Sequence, residues 1–588
     1  MGQFSDAIYR ALDMPPQPHP DYLEIGSFRP ADSLALVDLA ADLRIKQLRQ
    51  IIGASVLHPL NHRTVQDSLF HTWADFQVRQ KQFDSPTRAE ELDFGHSLEG
   101  FSADRAGYLE YLSIRAPDLY RFLGKRFHAR IPVSAFRQHA WILGMTGAGK
   151  SELIKVLVHH LAKQPNSTTI ILDPERKLGE EIAWSRDYAQ SDSLIYIDPA
   201  LGRNKRLFPT INPLQYPSDD LDEQATYAEV FVDAMREALK GEITERMETL
   251  LTSCTRVLLR RSGSTLLDLQ RFMDKTRNGD LVEAGQAHAD PLIREFFAHS
   301  FLQNDWTKTK EPLAAKLQVL LSRPAFASCI LGDTSVHMER LIESRKTVVL
   351  VLDEAELGTL GAKMWGSFFV ALLESTIRRM RSGSRAQNNP APVYLVADEF
   401  QRFVTPRFGE ILTRARRLGL HLIAANQYEK QAGLSESLRE NMRINTAVKM
   451  VGLYTDQGHA QSAAKLVSVD AQELEKLGNG KYAIKAGKKP PVVVQVNSDR
   501  LGHSNSMTPV QWQAVAAHQL EEYYRPSMMH TAPQSAPQTP TTPPRAPIPA
   551  KTPQSASQSR SEAPQTPTAP PPQPTSPRRV RKPRFGRS

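Results

Sequence analysis

Residues 139–155, HAWILGMTGAGKSELIK, most narrow what this chain can fold into. Gly144, Gly149, Lys150 and Ser151 stand in the spacing G-x-x-x-x-G-K-S. Glycine reaches backbone angles that other residues avoid, so such a loop can wrap an oxyanion and turn several N–H groups inward. Before it, Ala140–Leu143 is a short apolar run suited to a buried strand. After it, 152–162 reads as a helix with Leu153, Val156, Leu157 and Leu161 on one face. Strand, glycine-rich loop and helix in that order set a phosphate on a helix N-terminus. The expected nucleotide-binding residues are Gly144, Thr146, Gly147, Ala148, Gly149, Lys150, Ser151 and Glu152. Lys150 is expected to reach the β- and γ-phosphates of ATP, and the Ser151 hydroxyl to hold Mg²⁺.

The apolar runs that follow have strand length and end in acids. They are TTIILDP from Thr168, LIYIDP from Leu194, TVVLVLD from Thr347, VYLVAD from Val393, HLIAAN from His421 and AVKMVGL from Ala447. Continuous apolar runs are the mark of parallel strands buried on both faces. YAIKA and PVVVQV, near 482–496, read as a closing hairpin. The expected fold class is therefore α/β, a P-loop NTPase with a RecA-like parallel sheet. Residues 121–217 and 343–500 make up its motor domain. An all-α insertion at 218–342 interrupts it, with Met247, Leu250, Leu251, Cys254, Val257 and Leu258 forming one helical stripe. Residues 1–120 read as a helical N-terminal region and 501–530 as a C-terminal helix. In that helix Thr508 and Gln511 form a capping box and Pro509 takes the first helical position.

The tail, 531–588, holds 16 of the 41 prolines. Such a composition cannot bury a core and reads as disordered. It also carries nine Lys/Arg against one acid, Glu562, which is +8 of the chain's net +9. The remaining residues are thus close to neutral, and bulk charge there gives no argument for nucleic acid. No apolar run approaches the roughly 18 residues needed to span a bilayer. The expectation is a cytoplasmic protein. Cys254 and Cys329 are too few for a disulfide framework and read as packing residues. His58, His62, His71 and His96 form no metal-ligand pattern.

A phosphate loop needs acids at the end of a nearby strand, one to steady Mg²⁺ and one to polarise water. Two pairs qualify, Asp353-Glu354 and Asp398-Glu399, and their spacing alone does not choose. The second is followed by TRARRLG, the strand HLIAAN and Gln427, a polar tip suited to sensing a γ-phosphate. Arg414, Arg416 and Arg417 are candidates for an arginine finger. This favours Asp398 as the metal carboxylate and Glu399 as the base.

These stretches together resemble the HerA/FtsK superfamily of ring-forming DNA motors. Within it they are most similar to the TraD/TraG-type coupling ATPases of conjugation and type IV secretion. The resemblance covers about 124–497. It is carried by Arg137-x-His139 with the phosphate loop, LDPERKLGEE, INPL at 211–214, KLQVLLSRPAFASCILG, LGAKMWGSFFVALL, and the block from Val393 to Gln427. It implies Lys150, Glu399, Gln427 and Arg416 as catalytic residues, with Arg416 acting across a subunit interface, and Ser151 and Asp398 at the metal. It further implies ATP and Mg²⁺ as cofactors, DNA as substrate, a homo-hexamer, and relaxosome or secretion-channel partners recruiting the protein to the inner membrane face. A HerA-like helicase in DNA-end processing and a type IV secretion ATPase acting on protein are the alternatives.

Overall fold

The computed structural model describes residues 9, 14–29, 124–239, 243–303, 306–381, 391–403, 412, 415–489, 491–497 and 505–530. The other residues, among them most of 1–120, the four histidines His58 to His96 and the whole of 531–588, lie outside this description.

The strands are β1 (Tyr22–Phe28), β2 (Phe127–Pro132), β3 (Ala140–Leu143), β4 (Thr168–Asp173), β5 (Leu194–Ile197), β6 (Leu207–Phe208), β7 (Thr347–Val351), β8 (Val393–Ala397), β9 (Leu420–Asn426), β10 (Val448–Val451), β11 (Lys481–Ala486), β12 (Val492–Val496) and β13 (Arg525–Pro526). All but β6 and β13 join one sheet in the order β2-β1-β12-β11-β10-β3-β9-β8-β4-β7-β5. From β10 to β5 every pairing is parallel. From β10 to β2 every pairing is antiparallel. The result is a parallel-dominated P-loop NTPase sheet. Its strands from β3 to β9 are buried along their whole length, as their unbroken apolar sequences require.

One face of the sheet packs against α1 (Lys150–Ala162) and α2 (Lys177–Ala183) through Leu153, Leu157, Leu161, Leu178 and Ile182. The other packs against α3 (Leu221–Ala238), α4 (Glu245–Leu259) and α5 (Thr359–Arg381). Phe231 of α3 stacks on Phe368 of α5, 4.9 Å between centroids. Every described element between Leu221 and Glu343 is helical. Cys254 and Cys329 are buried free thiols in this core. Asn212 of INPL ties the helices to the sheet: its amide donates to the carbonyls of Ser264 (2.8 Å) and Gly332 (3.0 Å).

Strand β1 falls inside the stretch expected to be helical. At these residues a helix gives way to a strand because Leu23 and Ile25 alternate onto the buried face while their neighbours turn out. Gly26 allows β12 to come close, since a Cβ there would lie 2.1 Å from the Gln495 carbonyl oxygen.

At the far edge, α6 (Pro509–Tyr523) covers β5. The side chain of Gln519 acts as a stand-in for a neighbouring strand. It accepts from Tyr196 N at 2.8 Å and donates to the Leu194 carbonyl at 3.1 Å. The Tyr524 hydroxyl accepts from Asp198 N at 2.8 Å. Trp512 stacks on Trp184, 5.2 Å between centroids. No helix among the described residues is long and apolar enough to cross a membrane.

Candidate functional site: a phosphate loop facing a buried carboxylate cluster

The loop between β3 and α1 turns twice through left-handed backbone, at Gly147 (φ 83°) and Gly149 (φ 91°). The second is the N-cap of α1, so the helix opens directly from the glycine. Thr146, Gly147 and Ser151 are exposed, Gly144 and Ala148 are buried, and Gly149, Lys150 and Glu152 are half-buried. Glu152 is turned to Lys155, 2.6 Å away. Gly480 closes the back of the loop, its N–H donating to the Ala148 carbonyl at 3.0 Å.

Strand order decides between the two acidic pairs. Strand β8 lies one strand away from β3, with β9 between them, whereas β7 lies two strands further out. Only the pair after β8 therefore meets the loop. Lys150 Nζ lies 3.8 Å from Glu399 Oε1 and donates to the Gly144 carbonyl at 3.1 Å. Glu399 sits in left-handed backbone (φ 45°), a region where non-glycine residues concentrate at functional sites. Gln427, at the tip of β9, donates to Glu399 Oε1 at 3.3 Å. The structure thus brings Lys150, Asp398, Glu399 and Gln427 to one place.

The same folding recruits residues the sequence reading passed over. Gln401 donates to Glu399 Oε2 at 2.6 Å and Gln431 at 3.3 Å, so three amides surround one carboxylate. Asn426 in turn donates to Gln401 Oε1 and accepts from the Trp141 indole. The only sequence signal for these residues is an excess of amide side chains within a few positions of Glu399 and Gln427.

Asp173, at the end of β4 beside β8, completes the cluster. It accepts from the backbone N–H groups of Gly179 (2.6 Å) and Glu175 (2.9 Å). Burial pushes its carboxyl up to about 6. Burial also pushes Asp398 up to about 7, against the pull of Lys150 and with the added repulsion of Glu399 and Asp173. A hydroxyl and buried carboxylates short of positive charge are hard oxygen donors of the kind that suit Mg²⁺. Ser151 and Asp398 fit such an ion.

The rejected pair has another task. Arg176, in the turn after β4 (φ 67°), donates to Asp353 Oδ2 at 3.0 Å and to Asp198 Oδ2 at 3.1 Å. Glu354 accepts from Arg402, which follows Glu399 by one short turn. Asp353 and Glu354 therefore hold neighbouring strand ends together. His139 does similar work on the strand leading into the loop. Its Nδ1 accepts from Leu422 N at 2.9 Å, which leaves Nε2 as the donor to the Leu412 carbonyl at 3.0 Å. Of the three candidate finger arginines, Arg417 is exposed in the turn Ala415–Leu418. Arg414 and the side chain of Arg416 lie outside the described residues.

Residues 123–181 match the family model described as helicase HerA, central domain. No curated protein matches the chain. Among solved structures, the bacterial conjugative coupling protein TrwBdeltaN70 in its unbound monoclinic form is 16% identical. That match covers 63% of this chain and 86% of that one, with a TM-score of 0.45. TrwB in complex with ADP and Mg²⁺ is 17% identical over 62% and 86% of the two chains, TM-score 0.45. VirB4 of Thermoanaerobacter pseudethanolicus is 16% identical over 64% and 91%, TM-score 0.40. With the family match laid over β3, the glycine loop and the helix behind it, the chain is a HerA-type P-loop NTPase.

Proposed function

We propose that this chain is an ATP-driven motor that moves DNA, a coupling-type ATPase that delivers it to a conjugative or type IV secretion apparatus. The observation that carries the reading is the approach of Glu399 to Lys150, with Gln427 on the same carboxylate. In this reading the loop N–H groups and Lys150 hold the phosphates of ATP. Ser151 and Asp398 hold Mg²⁺, which when bound neutralises charge on the phosphates. Glu399 takes the proton of the attacking water, with Gln401, Gln427 and Gln431 fixing its orientation. Arg416 acts on the site of a neighbouring copy, which requires a ring, read as a homo-hexamer. Residues 121–217 and 343–500 form the motor, with 218–342 as its insertion. Relaxosome or channel proteins bring it to the inner membrane face.

The test is ATP hydrolysis by the purified protein with no DNA, with single-stranded DNA and with duplex DNA, beside a Glu399→Gln control. Stimulation by DNA that the control abolishes supports the motor. Turnover that no DNA alters contradicts DNA as substrate and favours a secretion ATPase acting on protein. A second reading, a HerA-like helicase in DNA-end processing, draws on the family match at 123–181. Unwinding of a blunt duplex would favour it.

A further inference from the structure

A second cationic pocket opens on the antiparallel side of the sheet. It has a volume of about 80 Å³ and is lined by Arg29 after β1, Arg126 before β2 and Lys481 of β11, with Gln495 of β12 between them. No carboxylate lines it. Arg29, Arg126 and Lys481 form no ion pair among the described residues. The acid nearest in strand register, Glu24, is already committed to Arg130 (3.0 Å) and His128 (2.9 Å) on the facing strand.

Three like charges converging without a counter-charge repel one another, and an anion seated among them removes that cost. A phosphate carries up to two charges and several acceptor oxygens, which suits three cations better than a single carboxylate does. The planar fork of arginine matches it in geometry. The volume admits one phosphate group and not a base or sugar with it. The pocket is also wired to the nucleotide loop. Gln495 Nε2 donates to the Gly480 carbonyl at 3.2 Å, and the N–H of Gly480 bonds to Ala148 in that loop.

We propose that this pocket is a phosphate-binding site separate from the loop at Gly144–Ser151, taking the phosphate of a nucleic-acid strand or a free phosphate anion. Residues Arg29 and Arg126 grip it from the edge strands, and Lys481 carries its occupancy to Gly480. The inference does not depend on the motor reading.

The test compares the full chain with an Arg29→Gln/Arg126→Gln/Lys481→Gln variant, both carrying Lys150→Ala so that the glycine loop contributes little. The probes are pyrophosphate, followed by calorimetry, and a labelled twelve-nucleotide oligothymidylate, followed by anisotropy across a salt series. A tenfold or greater loss of pyrophosphate affinity supports the site with a free anion as its ligand. A weaker oligonucleotide affinity, with a salt slope reduced by about 2 for three lost contacts, supports it with a strand as its ligand. Affinities for both probes within twofold of the parent overturn it. A change of assembly mass by light scattering with both probes unaffected also overturns it, because the pocket then holds a carboxylate of a second copy. A variant charge-matched at two positions, Arg29→Lys/Arg126→Lys, guards against misfolding: it keeps the salt slope while losing the arginine fork. ADP binding by the triple variant with Lys150 intact reports separately on the nucleotide loop.

Discussion

Lys150 Nζ and Glu399 Oε1 stand 3.8 Å apart although they follow strands that do not touch, because β9 lies between β3 and β8. The separation leaves room above β9 for a phosphate, with a cation on one side and a base on the other.

Replacing Glu399 by Gln removes the base and keeps the shape. ATP turnover is expected to fall by about 10²–10⁴, with nucleotide affinity held within a few-fold. Lys150→Ala is expected to show the opposite balance, losing nucleotide binding first. Titration of a fluorescent ATP analogue beside steady-state turnover separates the two. Equal loss of binding in both variants would contradict the assigned roles.

The raised carboxyls give a pH signature. Asp398 is pushed up to about 7 and Asp173 up to about 6, against 3.8 for an unperturbed group. Between these values the folded chain holds protons that the unfolded chain has released. Stability from these groups is therefore present at low pH and is lost as pH rises from about 4 through 7. Without Mg²⁺, the Tm of the wild type minus that of Asp398→Asn should fall by about 3 °C from pH 4 to pH 8. His159 and His421, pushed down to about 4 and about 3 by burial, act in the opposite sense. They are common to both proteins and cancel in the difference. A flat or rising difference would show that burial does not hold the Asp398 proton.

Arg176→Met should destabilise the fold by about 3 kcal/mol, since it strands the carboxylates of Asp198 and Asp353. Adding Asp353→Asn should recover part of that loss. Urea unfolding of the four members of the cycle measures the coupling. Strictly additive losses would mean that the bridge contributes nothing.

Gln519→Leu leaves Tyr196 N and the Leu194 carbonyl buried without partners. At about 1–3 kcal/mol for each unsatisfied group, the variant should unfold at lower denaturant and aggregate through β5. Unchanged denaturation and solubility would show that solvent replaces the amide at no cost.

Much of the parallel core is legible as text. Each of its strands is an unbroken apolar run, and the glycine loop announces itself by spacing. The neighbour relation between strands is not legible: β7 and β8 both read as apolar runs closing in Asp-Glu, and only their positions in the sheet separate a strut from a site. Strand β1 escaped because its partner β12 comes from the far end of the sequence, so no local pattern advertises the pairing. The amides of Gln401 and Gln431 escaped because an amide near an acid has meaning only once folding turns both inward.

The pairing of Gly26 with Val496 and the cover of β5 by Gln519 place chain segments from the two ends of the described motor on opposite rims of its sheet. On a ribosome, the earliest strand must wait unpaired until nearly all of the sheet has been made. The central strands between β3 and β9 can assemble sooner, and both rims are finished last. Folding is then governed by contacts distant in sequence, which are slow to form. A pause or cleavage before residue 492 would leave a nucleotide loop already shaped but bounded by two raw edges, each a template for aggregation.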